Sequence, residues 1–302
     1  MSSKVLLTGA SGFLGQHLLT ALSNGNHDIT TIGRQPHLHL VCNLASQVPQ
    51  LLSPFDMVVH AAGKAHTVPK TAAEAAEFDA VNVQGTKNLC RAFDNMGCWP
   101  AAFVFISSVA VYGRDAGEMI AENHPLEGST PYAKSKIAAE AWLAQWCGQH
   151  GILLTILRLP LLVGANAPGN LGSMVQAIKR NQYANIGGGT AKKSMVLAID
   201  VANCIEKAAA TGGVYNLTDG VHPSFAQLAQ AIAQSLGKSP PRNIPLILAT
   251  LLATLGNFMG STAPINSLKL KKITATLTFD DQEAVRALGW RPHPVLDSFT
   301  LT

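Results

Sequence analysis

Tyr132 stands four residues before Lys136 in the stretch "STPYAKSKIAAE", residues 129–140. On a helix, positions four apart are neighbours, so this phenol and this ammonium can reach one point in space. A free phenol keeps its proton to about pH 10, and a positive charge beside it favours the phenolate. The pair suits moving a proton to or from a hydroxyl or carbonyl oxygen. The same spacing also describes a surface helix whose tyrosine packs and whose lysine is solvated. Two more hydroxyls, Ser107 and Ser108, close the apolar run "FVFISS", and Ser108 lies 24 residues before Tyr132.

A different chemistry is written at the N-terminus. In "TGASGFLG", Gly9, Gly12 and Gly15 lie between an apolar run and a helical pattern. Glycines there let the backbone turn tightly and approach a pyrophosphate seated on the helix N-terminus, where free N–H groups point outward. A plain glycine-rich connection has the same composition, but the strand–turn–helix context favours dinucleotide binding. Sites selective for NAD place an acid at the end of the second strand, to accept from the ribose 2′-hydroxyl. Here that strand ends in Gly33 and Arg34, with no acid. Arg34 could pair with a 2′-phosphate, so NADP is favoured over NAD, a solvated strand-end arginine being the alternative. Asn43, in "VCNLAS", is a candidate partner for the adenine.

Positioning these groups requires a scaffold, and the chain supplies alternating elements. "KVLLTGA", "DITTIGR", "FDMVVHAAG", "AAFVFISSVAVYG" and "ILLTILRLP" read as short buried strands. Between them lie helical patterns: one ending at Gly25, one stopping at Gly97, and the Tyr132 helix running to about Gly148. This alternation predicts an α/β, doubly wound parallel sheet covered on both faces, with a crevice at the carboxyl ends of the strands. "KSMVLAIDVANCIEKAAA" and "GGVYNLTDG" read as a strand, a helix and a strand that rejoin the sheet. The dinucleotide domain is assigned to 1–162 and 190–220, and a smaller capping domain to 163–189 and 221–302.

With 302 residues, 47% hydrophobic and 13% charged, the chain can bury a large core. A net charge of +4 without a long Lys/Arg run does not argue for nucleic acid. The five cysteines form no CxxC pair, which disfavours a disulfide framework or structural zinc and fits reduced thiols. No metal site is expected. "MSSKVLLTGA" lacks the pattern of a secretory leader, so a cytoplasmic protein is expected. The apolar stretch 244–260 is interrupted by Gly256 and Asn257 and is shorter than the roughly 20 residues of a span, so a buried helix or a helix of the capping domain is expected, with a membrane contact as the alternative.

Taken in order, the glycine turn, "VHAAG", "VNVQGT", "FISSVAVYG" and "YAKSK" resemble the extended short-chain dehydrogenase/reductase family, in its nucleotide-sugar epimerase/dehydratase branch. The resemblance runs from the glycine turn to "ALGWRP" and implies a Rossmann fold. It implies that Tyr132 is the general acid/base and that Lys136 holds the nicotinamide ribose and lowers the Tyr132 pKa. Ser108 would hydrogen-bond the reacting oxygen. Asn82 would support the site and touch the cofactor. Further cofactor contacts are implied for Ser11, Phe13 and Leu14 beside the glycines, for Leu44 beside Asn43, for Ala61, Ala62 and Gly63, and for Pro160. His60 is assigned to packing near the cofactor phosphates rather than to catalysis.

Dehydratases of this branch carry an Asp-Glu pair just after the catalytic hydroxyl, where this chain has Val109 and Ala110, so dehydration is disfavoured. What is left is reduction of a 4-keto sugar or 4-epimerisation. Lys193, beside Lys192, takes the place of the family's diphosphate-gripping arginine, with a solvated lysine pair as the alternative; Asn170 resembles the phosphate-contacting asparagine. Val109 would face the substrate. "RLPLLVG" departs from the family's usual strand end in the direction of 4-keto-hexosamine reductases or epimerases. The C-terminal segment resembles reductases that make N-acetylated 6-deoxy-hexosamine nucleotides in bacterial surface-polysaccharide synthesis. Net reduction of a UDP-linked 6-deoxyhexosamine is therefore favoured, ahead of 4-epimerisation and of an NADP-sensing regulator without chemistry. The resemblance also implies a homodimer through helices around 72–96 and 132–148.

Overall fold

The computed structural model describes residues 2–65, 67–258 and 265–298. Residues 259–264 and 299–302 of the expected capping domain, including the last two of the apolar stretch 244–260, lie outside the described residues.

Strand β1 (Lys4–Thr8) lies inside the sheet, and β2 (Asp28–Gly33) and β3 (Leu40–Val41) lie to one side of it. On the other side come β4 (Met57–His60), β5 (Ala102–Ser108), β7 (Leu153–Leu159) and β11 (Gly213–Asn216). All seven run parallel. Successive side chains of a strand point to opposite faces. Val5 and Leu7 therefore enter one core, with α1 (Phe13–Asn24) and α6 (Ala198–Thr211), while Leu6 enters the other. That second core packs beneath α3 (Gly85–Met96) and α4 (Pro131–His150). Both faces being covered explains why the strands read as continuous apolar runs.

Ahead of α3, helix α2 (Ala72–Asp79) runs into a five-residue π-bulge, Ala80–Gln84. The left-handed Gly97 (φ 69°) ends α3 as the sequence indicates. Helix α4 passes through Gly148 and stops at Gly151 (φ 65°), because a left-handed residue is what terminates the helical ladder and Gly148 is not one.

Of the strand, helix and strand expected in "KSMVLAIDVANCIEKAAA" and "GGVYNLTDG" to rejoin the sheet, the last strand does so and the first does not. Strand β11 joins its edge, but β10 (Met195–Leu197) pairs with β8 (Leu161–Val163) in a separate ribbon. Two further ribbons join distant segments: β6 (Gly117–Ile120) with β13 (Leu277–Phe279), and β9 (Ala184–Ile186) with β12 (Arg242–Ile244). Helices α5 (Gly169–Lys179) and α7 (Phe225–Ser235) share a core through Leu171, Ile178, Leu228 and Ile232. Helix α7 opens on a reciprocal cap between Ser224 and Gln227. Helix α10 (Gln282–Leu288) and Trp290 pack on the main core, across the boundary drawn at 221.

The apolar stretch does form a helix, α8 (Leu246–Phe258), packed on α9 (Ser267–Thr274), and of the two expected forms the buried one does not hold, because its bulky side chains are exposed. Its inward positions are Ala249 and Ala253, and the leucines face out. Apolar composition alone does not say which face of a helix is covered.

Candidate active site

The carboxyl ends of β1, β4, β5 and β7 meet at two adjoining cavities. The first, about 370 Å³, is bordered by Gly9, Ser11, Gly12, Arg34, Asn43, Leu44 and Ala62. The second, about 640 Å³, takes in Phe13, Leu14, Gly15, Ser108, Tyr132, Lys136, Pro160 and Asn170. Gly9, Gly12, Ala61 and Gly63 border both, so the two form one trough across the strand ends.

The glycine turn fits a dinucleotide. The first intrahelical bond of α1 runs from Gln16 N–H to the Gly12 carbonyl. The N–H groups of Phe13, Leu14 and Gly15 precede it and have no helical acceptor, which suits an anion. A Cβ on Gly15 would lie 1.9 Å from the Gly9 carbonyl oxygen. Gly9 is left-handed (φ +75°), and a Cβ there would lie 2.6 Å from the Ala62 nitrogen. Gly9→Ala therefore combines a left-handed penalty of about 1–2 kcal/mol with a backbone clash. The variant is expected to unfold at clearly lower urea than the parent and to lose dinucleotide affinity. Arg34 is exposed at the mouth of the first cavity, and no acid ends β2.

Tyr132 occupies the first turn of α4, fixed by Pro131 and by the Thr130 hydroxyl, which accepts from the Ala133 N–H at 3.1 Å. Burial pushes the Tyr132 phenol up from its ordinary value, and a hydrogen bond with Ser108 opposes that. The direction is the reverse of the expected lowering by Lys136. The Lys136 ammonium instead donates to the Ile106 carbonyl at 2.8 Å and lies over the Phe105 ring at 4.6 Å. Burial lowers Lys136 to about 8, and the Glu140 carboxylate works against that shift.

The two serines that end β5 are held differently. The Ser107 hydroxyl donates to buried Glu140, which also forms a 2.7 Å ion pair with buried Arg158. Arg158 donates to the Tyr112 hydroxyl at 3.1 Å and to the Glu122 carbonyl at 3.0 Å. Ser108 faces the trough and accepts from the Ala110 N–H at 3.2 Å.

The π-bulge carries Asn82 into this region, an insertion frequent at functional sites. Its amide donates to the Ser135 hydroxyl at 2.8 Å and to the Lys64 carbonyl at 3.1 Å, and its oxygen accepts from the Lys64 N–H at 2.7 Å. Ser135 in turn donates to the Tyr132 carbonyl at 2.8 Å. Asn82 thus ties α4 to the end of β4 from behind the trough and does not line it. His60 is 1% exposed and lies between Thr8 (2.7 Å) and Thr86 (2.8 Å), and burial lowers it to about 3. The Thr86 proton goes to the Asn82 carbonyl at 2.7 Å. His60 Nε2 must therefore donate to Thr86, leaving Nδ1 to accept from Thr8.

Two expected substrate contacts are not brought to the trough. Val109 packs beside Val111 and Phe279. The Lys193 amine donates to the Lys272 carbonyl at 3.2 Å and lies over Phe225 at 5.9 Å, with burial lowering its pKa. Sequence reasoning missed Lys64, which borders both cavities, and Glu140, which follows Lys136 by one further helical turn. The i, i+4, i+8 spacing of Tyr132, Lys136 and Glu140 was the available signal.

A family model described as "NAD dependent epimerase/dehydratase family" matches residues 5–218. The chain is 32% identical over 299 residues to N-acetyl-alpha-D-glucosaminyl-diphospho-ditrans,octacis-undecaprenol 4-epimerase of Escherichia coli O157:H7, covering 93% of this chain and 88% of that one. It is 27% identical over 250 residues to GDP-6-deoxy-D-mannose reductase of Pseudomonas aeruginosa, covering 77% of this chain and 80% of that one. The fold is similar to the solved structure of RMD from Pseudomonas aeruginosa complexed with NADPH, with a TM-score of 0.74 and 23% identity over 98% of this chain and 95% of that one.

Proposed function

The chain belongs to the NAD-dependent epimerase/dehydratase family, and from that premise we propose that it reduces a 4-ketone on a diphosphate-linked hexosamine with NADPH. One observation carries the reading: Ser108, Tyr132 and Lys136 border the same cavity as the glycine turn. NADPH, when bound, supplies the hydride. With its pKa raised by burial, Tyr132 is a neutral phenol at pH 7 and can give its proton to the oxygen of the ketone. Ser108 hydrogen-bonds the same oxygen and keeps it in reach of Tyr132. Lys136 spends one hydrogen on Ile106 and has two left for the ribose hydroxyls. Asn170, at the start of α5, and the N–H groups of α1 offer donors to phosphate oxygens. Val109 and Ala110 cannot transfer protons, so water elimination lacks its acid and base.

The two relatives, one a reductase of a GDP-sugar and one a 4-epimerase of a diphospholipid-linked sugar, support a diphosphate-linked substrate. The second of them also favours an alternative reading, 4-epimerisation, in which Tyr132 takes and returns the proton. Nicotinamide absorbance with a 4-keto hexosamine diphosphate separates the two. Stoichiometric loss of NADPH is the expected result, and epimer interconversion without net consumption would replace the reductase reading. Loss of a charge-assisted contact is worth about 1.5–3 kcal/mol. Arg34→Ala is accordingly expected to weaken NADPH binding roughly 10- to 100-fold and leave NADH binding unchanged; equal loss for both would remove the 2′-phosphate assignment.

A further inference from the structure

Six of the 13 residues of α8 are aliphatic side chains 47–79% exposed: Leu246, Ile247, Leu248, Leu251, Leu252 and Leu255. The positions turned inward are small, Ala249 at 1% and Ala253 at 0%, against Leu270 of α9. A helix on a globular core has the opposite arrangement, with its bulky stripe inside. Of 18 exposed large apolar residues among the described ones, eight fall on these two helices, the others being Leu268 and Ile273. Scattered exposed leucines need no explanation, whereas a contiguous set marks an interaction surface.

Charge indicates what that surface meets. Between Asp219 and Asp280 the sequence holds no carboxylate, while Lys238, Arg242, Lys269, Lys271 and Lys272 all fall there. Three of these cations lie on α9, and Arg242 begins the strand that leads into α8. From another element, Asp115 pairs with Lys272 at 3.1 Å. Cations beside an aliphatic face complement an anionic lipid surface, where leucines enter the acyl boundary and lysines meet phosphates. At 13 residues the helix is about 20 Å long, short of the roughly 30 Å hydrocarbon core. Among the described residues no helix is long and apolar enough to cross a membrane. Such a helix lies in the interface.

We propose that α8, with the basic α9 beside it, docks the protein on a bilayer containing anionic phospholipid. The surface packs on Ile186 and Ile244, and no residue of α8 or α9 borders the Tyr132 trough, so the proposal stands apart from the reaction assigned above. The full chain is sedimented with vesicles of phosphatidylglycerol and phosphatidylethanolamine, and separately with phosphatidylcholine alone. Binding to the anionic vesicles is expected to be stronger by about tenfold or more, and to fall by a similar factor in a Leu251→Glu/Leu255→Glu variant. Lys271→Gln is expected to weaken it about fivefold. Both leucines are exposed, so thermal unfolding of the double variant should match the parent. A Leu251→Trp variant reads the position directly, its emission shifting to the blue on anionic vesicles. A chain that stays in the supernatant, or a double variant that binds like the parent, overturns the proposal. So does dimerisation through α8 without vesicle binding, which would assign the face to a second copy.

Discussion

Replacing Tyr132 with Phe is expected to lower turnover about a thousandfold while leaving dinucleotide binding nearly unchanged. The ring's edge contact with Phe78, centroids 6.1 Å apart, survives the change, and so does the cap of α4 by Thr130. What disappears is the hydroxyl that Ser108 meets across the trough. Positioned proton transfer contributes roughly 10²–10⁴-fold, and no other titratable side chain of this cavity takes that role readily. Lys136 is anchored at Ile106 and assigned to the ribose, Lys64 is paired with Glu77, and His60 is enclosed between two threonines. Turnover at saturating substrate and a fluorescence titration of NADPH should be measured on one preparation. Unchanged turnover would remove the assigned chemistry, and lost binding with normal turnover per bound complex would recast Tyr132 as a cofactor contact.

Glu140→Ala is expected to cost about 3–5 kcal/mol, the range for leaving a buried charge without its partner. Arg158 is 6% exposed and Glu140 4%, and the carboxylate takes both the guanidinium and the Ser107 hydroxyl. Replacing both partners, as Glu140→Ala/Arg158→Met, is expected to cost less than Glu140→Ala alone, because an apolar pair leaves no unpaired charge. Urea unfolding of the parent, both single variants and the double variant tests this, and independent additive losses would refute it. A milder change, Glu140→Gln, reads the link to Lys136. The ammonium already loses its proton near pH 8, and the Glu140 charge is what holds that value up. Without it the Lys136 pKa falls further, so the pH above which NADPH affinity declines should move below about 8. A merely structural role for Glu140 would leave that profile in place.

What could be read from sequence was local. The glycine turn and the Tyr132–Lys136 spacing are set by a few consecutive residues on one element, and the trough brings them together. The stops at Gly25 and Gly97 were readable for the same reason. Contacts closed over long separations were not. Lys193 looks available for a phosphate until Lys272, 79 residues on, takes its amine. Strand β10 has the composition of a sheet strand, but its register partner is Leu161–Val163. The α8 leucines satisfy every compositional test for burial, and only the packing of Ala249 and Ala253 shows that the small side was chosen. Glu140 sat in plain view in the opening motif, and its meaning depends on Arg158 from another element.

The histidine clasped by two threonines has one more consequence. Thr8, just before the glycine turn, is joined through His60, Thr86, Asn82 and Ser135 to the backbone of Tyr132. The one ionisable member of that relay stays uncharged until about pH 3. The brace aligning the phosphate-binding end with the proton donor is therefore blind to acidity across the physiological range. The pH dependence of the reaction is therefore expected from the phenol and the amine, and not from this brace.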